Sequence, residues 1–182
     1  MDYKRIVEGC KANERKAQQQ LFQLIKDKMM GICLRYANSK AEAEDVLQES
    51  FIKIFNKIEY LKEPEKLEAW ARRIFVNTAI NNYHKASNKY EIVQENEKID
   101  DENHYTDIIE KLDKNQLLHL INKLPDGYKL VFNMYVIDGY THPEIAETLQ
   151  ISVNTSKSQL HAAKAILKKK LKELGIHRYE KI

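Results

Sequence analysis

Seven side chains between residues 154 and 164 have the chemistry to read double-stranded DNA: Asn154, Thr155, Lys157, Ser158, Gln159, His161 and Lys164. Asparagine and glutamine can pair two hydrogen bonds with adenine, and lysine reaches guanine or phosphate. Amides of this kind specify sequence, whereas phosphate contacts set position. Bond-making chemistry has no comparable centre. The six histidines (His84, His104, His119, His142, His161 and His177) are scattered, and no glycine loop for phosphate and no clustered nucleophile and base can be found. The sequence thus predicts a binding protein with no catalytic residue, no metal and no cofactor.

Those residues suit a helix that enters the major groove, and the flanking sequence from Thr141 to Lys168 reads as the helix-turn-helix that would present it. Thr141 and Glu144 have capping-box spacing, and Pro143 is tolerated because first-turn amides lack partners inside the helix. Ile145, Ala146 and Leu149 then face inward, with Ala146 small where a second helix must cross. After the turn Gln150-Ile151-Ser152, Ser152 is a natural N-cap for a helix whose apolar stripe is Leu160, Ala163 and Leu167.

Composition agrees with a helical chain. Of 182 residues only five are glycine and three are proline, which predicts an all-α protein. The net charge of +3 is mild, but the charges are segregated. Nine acidic residues against two basic ones lie between Glu91 and Asp113, and eight basic residues against two acidic ones lie from Ile151 onward. An acidic, aperiodic stretch followed by a basic end reads as a solvated linker before a polyanion-binding module. Cys10 and Cys33 have no metal-ligand spacing and are expected to be reduced thiols. No apolar run approaches a bilayer span and no leader opens the chain, so the expected location is cytoplasmic, without membrane insertion.

The first half reads as three amphipathic helices. Leu21, Phe22, Ile25, Met29, Ile32, Cys33 and Tyr36 share one helical face. A second helix from Ala41 to Tyr60 is expected to bury Leu47, Phe51, Ile54 and Phe55, and a third from about Leu67 to Lys85 to turn Trp70, Ile74 and Thr78 inward. Pro64 breaks the chain between them. Beyond the acidic run, Leu117, Leu118, Leu120, Ile121 and Leu124 form a helix stopped by Pro125, Asp126 and Gly127, and a further helix holds Leu130, Val131, Met134 and Tyr135. The expected organisation is two small helical domains, 1–87 and 114–182, joined by an acidic flexible linker, 88–113.

Two polar faces in the first domain stand out. Asp45, Gln48, Glu49, Ile52 and Lys53 share the side of the second helix opposite its buried one, a surface suited to a basic partner helix. Arg73, Asn77, Asn81, His84 and Lys85 form a stripe on the third helix, flanked by Trp70 and Tyr83. Cations with nearby aromatics suit single-strand capture, although Trp70 reads as core. By themselves these features also fit a dimeric regulator of palindromic DNA.

The residue runs narrow that choice. Ala43-Glu-Asp-Val-Leu-Gln-Glu-Ser-Phe-Ile-Lys-Ile-Phe55, Trp70-Ala-Arg-Arg-Ile-Phe-Val-Asn-Thr-Ala-Ile-Asn-Asn-Tyr83 and Tyr140-Thr-His-Pro-Glu-Ile-Ala-Glu-Thr-Leu149, followed by Ile151-Ser and Thr155-Ser-Lys-Ser-Gln-Leu160, resemble the extracytoplasmic-function sigma factors of the sigma-70 family. The resemblance runs from about Ala17 to Leu174. It implies a transcription initiation factor whose partners are core RNA polymerase and promoter DNA, and in many members an anti-sigma factor. It implies that the Asp45 to Lys53 face docks on polymerase. The Arg73 to Lys85 stripe, with Lys62 and Lys66 in the loop before it, would hold a melted promoter element, and the helix after Ser152 would read a duplex one. A linker of ~25 residues reaches at most about 80 to 90 Å, enough to span the roughly 70 Å of two duplex turns. Two positions depart from the family pattern: Gln150 stands where the turn usually has glycine, and Ser156 where an apolar residue packs.

Overall fold

Where each helix begins is decided by how its first amides are satisfied. The computed structural model describes residues 3–89 and 114–175, and the regular structure among these is helical throughout. The chain divides into two compact units, Met1–Asn88 and Lys89–Ile182. The first holds α1 (Tyr3–Lys11), α2 (Arg15–Tyr36), α3 (Lys40–Lys57) and α4 (Leu67–Lys89), with single 3₁₀ turns at Ile58–Tyr60 and Pro64–Lys66. Ser39 caps α3 by accepting from the Glu42 amide at 3.1 Å, and the Glu42 carboxylate accepts from the Asn38 amide at 2.8 Å.

Helix α1 is an addition to the three helices read from periodicity. It lies close on α2 because residue 9 is glycine: a Cβ there would sit 2.6 Å from the Cβ of Ala17. Val7 and Cys10 are buried. The Tyr3 hydroxyl donates to Glu68 at 2.8 Å, and Lys28 donates to both oxygens of the same carboxylate at 2.9 Å, so one glutamate of α4 gathers α1 and α2. Those two donors, Lys28 first, hold the Glu68 carboxyl below its ordinary range.

Phe51 of α3 is the hub of the core. Its ring lies 4.7 Å from Phe22 on α2 and 5.5 Å, edge to face, from Phe75 on α4. The α2 stripe is buried as the sequence predicts, except for half-buried Phe22. On α3 the interior is Ala43, Val46, Ser50, Phe51 and Ile54, while Leu47 and Phe55 are only half-buried. On α4 it is Leu67, Ala71, Phe75 and Thr78, with Val76, Ala79 and Ile80. Trp70 and Ile74, expected to point inward, lie half-buried at the margin. The true inner stripe runs one residue later, a rotation of roughly 100°, which sets small Ala71 where bulky Trp70 would hold the helices apart. The two thiols are buried and unbridged, and desolvation pushes Cys10 up to about 11 and Cys33 to about 12.

The second unit holds α5 (Lys114–Asn122), α6 (Asp126–Phe132), a π-helical segment Asn133–Ile137, α7 (His142–Leu149) and α8 (Val153–Glu173). Leu120, Ile121 and Leu124 are buried, whereas Leu117 is exposed. Asp126 and Gly127 begin α6 where the sequence reading has only a stop: the Pro125 carbonyl accepts from the Lys129 amide at 2.9 Å. Leu130, Val131 and Met134 are buried, and Tyr135 is exposed. Helices α6 and α7 both pack on α8. The acidic run 91–113 and the basic residues Arg178 and Lys181 lie outside the described residues.

The capping box forms in full, with the Glu144 carboxylate accepting from the Thr141 amide at 2.8 Å and the Thr141 hydroxyl from the Glu144 amide at 3.4 Å. The turn after α7 places Gln150 at φ 55° and ψ 41°, while the Ile151 amide donates to the Ala146 carbonyl at 3.0 Å. The left-handed conformation strains a side chain by about 1–2 kcal/mol, and glycine there loses about 0.5–1 kcal/mol of unfolded-state freedom. Gln150→Gly is therefore expected to raise stability modestly, by about 0.5–1 kcal/mol. Urea unfolding checks this, and a destabilised variant would contradict it.

Candidate nucleic-acid interface

The outward side of α3 is built from three residues rather than five. Asp45 and Gln48 are exposed, and Ile52 is 61% exposed, an apolar side chain in water amid polar neighbours. Glu49 and Lys53, placed on the same face by spacing, turn toward α4. They form an ion pair at 2.8 Å. Lys53 donates to the Thr78 hydroxyl at 3.1 Å, and that hydroxyl in turn donates to the Ile74 carbonyl at 2.8 Å. Asn82 completes the bridge by donating to the other Glu49 oxygen at 3.0 Å. The Lys53 hydrogen bond, with that of Asn82, holds the Glu49 carboxyl below its ordinary range against the opposing effect of burial.

Across that bridge, α4 exposes Arg73, Asn77, Asn81 and Lys85 at four-residue steps. His84 departs from the expected stripe: it is half-buried, edge-on to Tyr83 at 5.7 Å. Lys62 and Lys66 are exposed in the connection before α4, where Lys66 pairs with Glu63 at 2.8 Å. Tyr60, 76% exposed beside them, is one that the spacing of polar residues does not mark. The available signal is its place between Ile58 and Leu61, both buried.

On α8, Ser152 accepts from the Thr155 amide at 2.9 Å, fixing the start of the helix. Asn154, Lys157, Ser158 and His161 form its exposed face, with Thr155 and Lys164 half-buried beside them. Gln159 is not on that face. Its side chain packs on α6, where a Cβ at residue 127 would lie 3.1 Å from its Nε2. Ser156 is fully buried, and its hydroxyl lies 2.9 Å from Nδ1 of His142. The His142 ring stacks on Tyr135 at 4.4 Å and 23°. Burial, and secondarily Lys157, keeps that imidazole below its usual range.

Two compact helical units, one with a polar outer face on adjacent helices and one with a capped helix-turn-helix, match known proteins in the same order. Residues 21–89 match the family model for sigma-70 region 2, and residues 114–167 that for sigma-70, region 4. The ECF RNA polymerase sigma factor SigW of Bacillus subtilis (strain 168) is 29% identical over 185 residues, covering 96% of this chain and 99% of its own. The chain is an extracytoplasmic-function sigma factor of the sigma-70 family. The ECF RNA polymerase sigma-E factor of Haemophilus influenzae is 28% identical over 93% of this sigma factor and 95% of its own length. A solved sigma factor RpoE, crystallised with the anti-sigma factor NepR from Bartonella quintana, shares the fold at 18% identity, with a TM-score of 0.56 over 85% of this chain and 96% of that one. CnrH, solved with the cytosolic domain of CnrY, does so at 18% identity and a TM-score of 0.51, over 92% of this chain and 96% of that one. No described helix of the sigma factor is long and apolar enough to cross a membrane, and no described cluster of His, Cys, Asp or Glu could hold a metal ion.

The bridge between α3 and α4 has a pH signature. A carboxylate whose native pKa is depressed contributes stability above its unfolded value and loses it as pH falls through its native one. Thermal unfolding of the wild type should therefore weaken more steeply than that of Glu49→Gln as pH is lowered from neutrality through the carboxylate range. Equal pH profiles would contradict the bridge.

Proposed function

We propose that this transcription initiation factor binds core RNA polymerase through Asp45, Gln48 and Ile52 of α3, with Glu49 and Lys53 bracing that face from behind. Arg73, Asn77, Asn81 and Lys85, with Lys62 and Lys66, hold a melted promoter element, while Asn154, Lys157, Ser158 and His161 read a duplex one. Gln159 and His84 act from behind these surfaces, and Thr155 and Lys164 flank the duplex face. Residues 1–87 and 114–182 work as separate domains on an acidic linker, 88–113. The protein works by binding alone, in the cytoplasm, and an anti-sigma factor covering the exposed faces would silence it.

The observation that carries this reading is exposure itself. Ile52 is more exposed than the other large apolar side chains of α3, and it sits between Gln48 and the Glu49–Lys53 pair. An apolar anchor inside a polar ring suits the core of a docking patch. On α8 the exposed side chains are amide, hydroxyl, cation and imidazole, the groups that read base edges and phosphates.

Promoter-specific transcription with purified core polymerase tests the docking face. Asp45→Ala with Gln48→Ala should lower promoter-specific output by roughly tenfold or more, as for loss of well-packed interface residues, and a wild-type chain that fails to bind polymerase would sink the reading. For the duplex face, Lys157→Ala should weaken binding across sequences and flatten the salt dependence by about one unit of slope, the loss of one phosphate contact. An unchanged slope would remove Lys157 from the interface.

A further inference from the structure

One imidazole joins three parts of the second unit. His142 is the first residue of α7, its ring lies flat on Tyr135 from the π-helical segment, and its Nδ1 meets the Ser156 hydroxyl of α8. Ser156 is fully buried, and the stripe that continues from it along α8, Leu160, Ala163 and Leu167, is apolar. A buried hydroxyl needs a partner, and here the partner fixes how far α8 is rotated about its axis. The next residue along, Lys157, lies on the face proposed to meet duplex DNA, with Asn154 one turn earlier. Any rotation of Ser156 away from His142 swings those side chains with it.

We propose that His142 and Ser156 are a positioning pair for duplex reading, holding α8 in register against α7, and that protonation of His142 loosens this hold. The proposal rests on α8 being the duplex-reading helix. Neutral imidazole can make the bond to Ser156 from either tautomer. The protonated ring would place a cation at the N-terminus of α7, where the helix dipole opposes it. From α8 it faces Lys157, a second cation. From the π-helical segment it faces the Tyr135 ring. On its own helix the nearest carboxylate, Glu144, is held by the amide and hydroxyl of Thr141. No element around the ring offers the charged form an uncommitted anion among these groups, so acid pH sets His142 against its own site.

The test uses the full chain with core polymerase and two duplexes, one selected from random sequence by the wild-type complex and a scrambled version of it. The readout is the ratio of affinities, which cancels any general change in phosphate binding as pH falls. For the wild type the ratio should fall as pH drops below the ordinary histidine range, since burial holds the His142 imidazole low. Ser156→Ala should lower the ratio roughly five- to fifty-fold at neutral pH, the scale of one misplaced base contact, while binding of the scrambled duplex is kept. His142→Gln keeps a hydrogen-bonding side chain that does not titrate, and should retain most of the ratio with a flat pH profile. That pH profile is the readout a purely structural role would not move. If Ser156→Ala fails to fold, the His142→Gln profile decides alone. A His142→Gln protein with the wild-type pH dependence, or a folded Ser156→Ala protein that discriminates as well as wild type, would overturn the proposal and leave duplex reading standing. A wild-type complex that selects no duplex would overturn both.

Discussion

A helix in this protein has to serve a core and a partner with the same few side chains per turn, and that constraint organises everything else. With 3.6 residues per turn, a helix has room for about one buried face, one outer face and the seams between them. Helix α3 gives Phe51 and Ile54 to the core and leaves Asp45, Gln48 and Ile52 outside. Helix α8 gives Leu160, Ala163 and Leu167 to the core and leaves Asn154, Lys157, Ser158 and His161 outside. What lies at the seams then decides how firmly the outer face is held.

Both units fill a seam with polar contacts. Between α3 and α4 the pair Glu49 and Lys53 reaches Thr78 and Asn82, and between α7 and α8 His142 reaches Ser156. Apolar packing tolerates sliding and rotation more readily than a hydrogen bond, whose strength falls steeply with misalignment. Directional contacts at the seam therefore set the rotation of each helix, which apolar burial alone leaves loose. The partly exposed Glu49–Lys53 pair adds little stability by itself. Its value lies in tying the proposed polymerase face to the helix that carries the proposed single-strand stripe.

Much of this was legible in the residues. The all-helical architecture, the capping box at Thr141, the Ser152 cap and the sigma-70 resemblance all follow from local patterns, because caps and periodicity act over three or four residues. What escaped depends on distance. Helix α1 is short, and its place rests on Gly9 meeting Ala17 and Tyr3 reaching Glu68. Periodicity set the inner side of α4 one residue early, since Trp70 and Ile74 look as apolar as Ala71 and Phe75 until neighbouring helices choose between them. The same holds for Glu49, Lys53 and Gln159: spacing put them on outer faces, and partners 25 to 33 residues away, or a glycine on another helix, drew them in. Ser156 looked like a fault in an apolar stripe. Its partner is 14 residues back, on another helix.

The two sulfur atoms carry a last consequence. Oxidants attack the thiolate, and they need a path to it. Cys10 and Cys33 are sealed between helices and titrate far above neutrality, so almost none of either is ionised inside the cell's pH range. Peroxide or disulfide stress therefore has no ready handle on the folded chain at either Cys10 or Cys33.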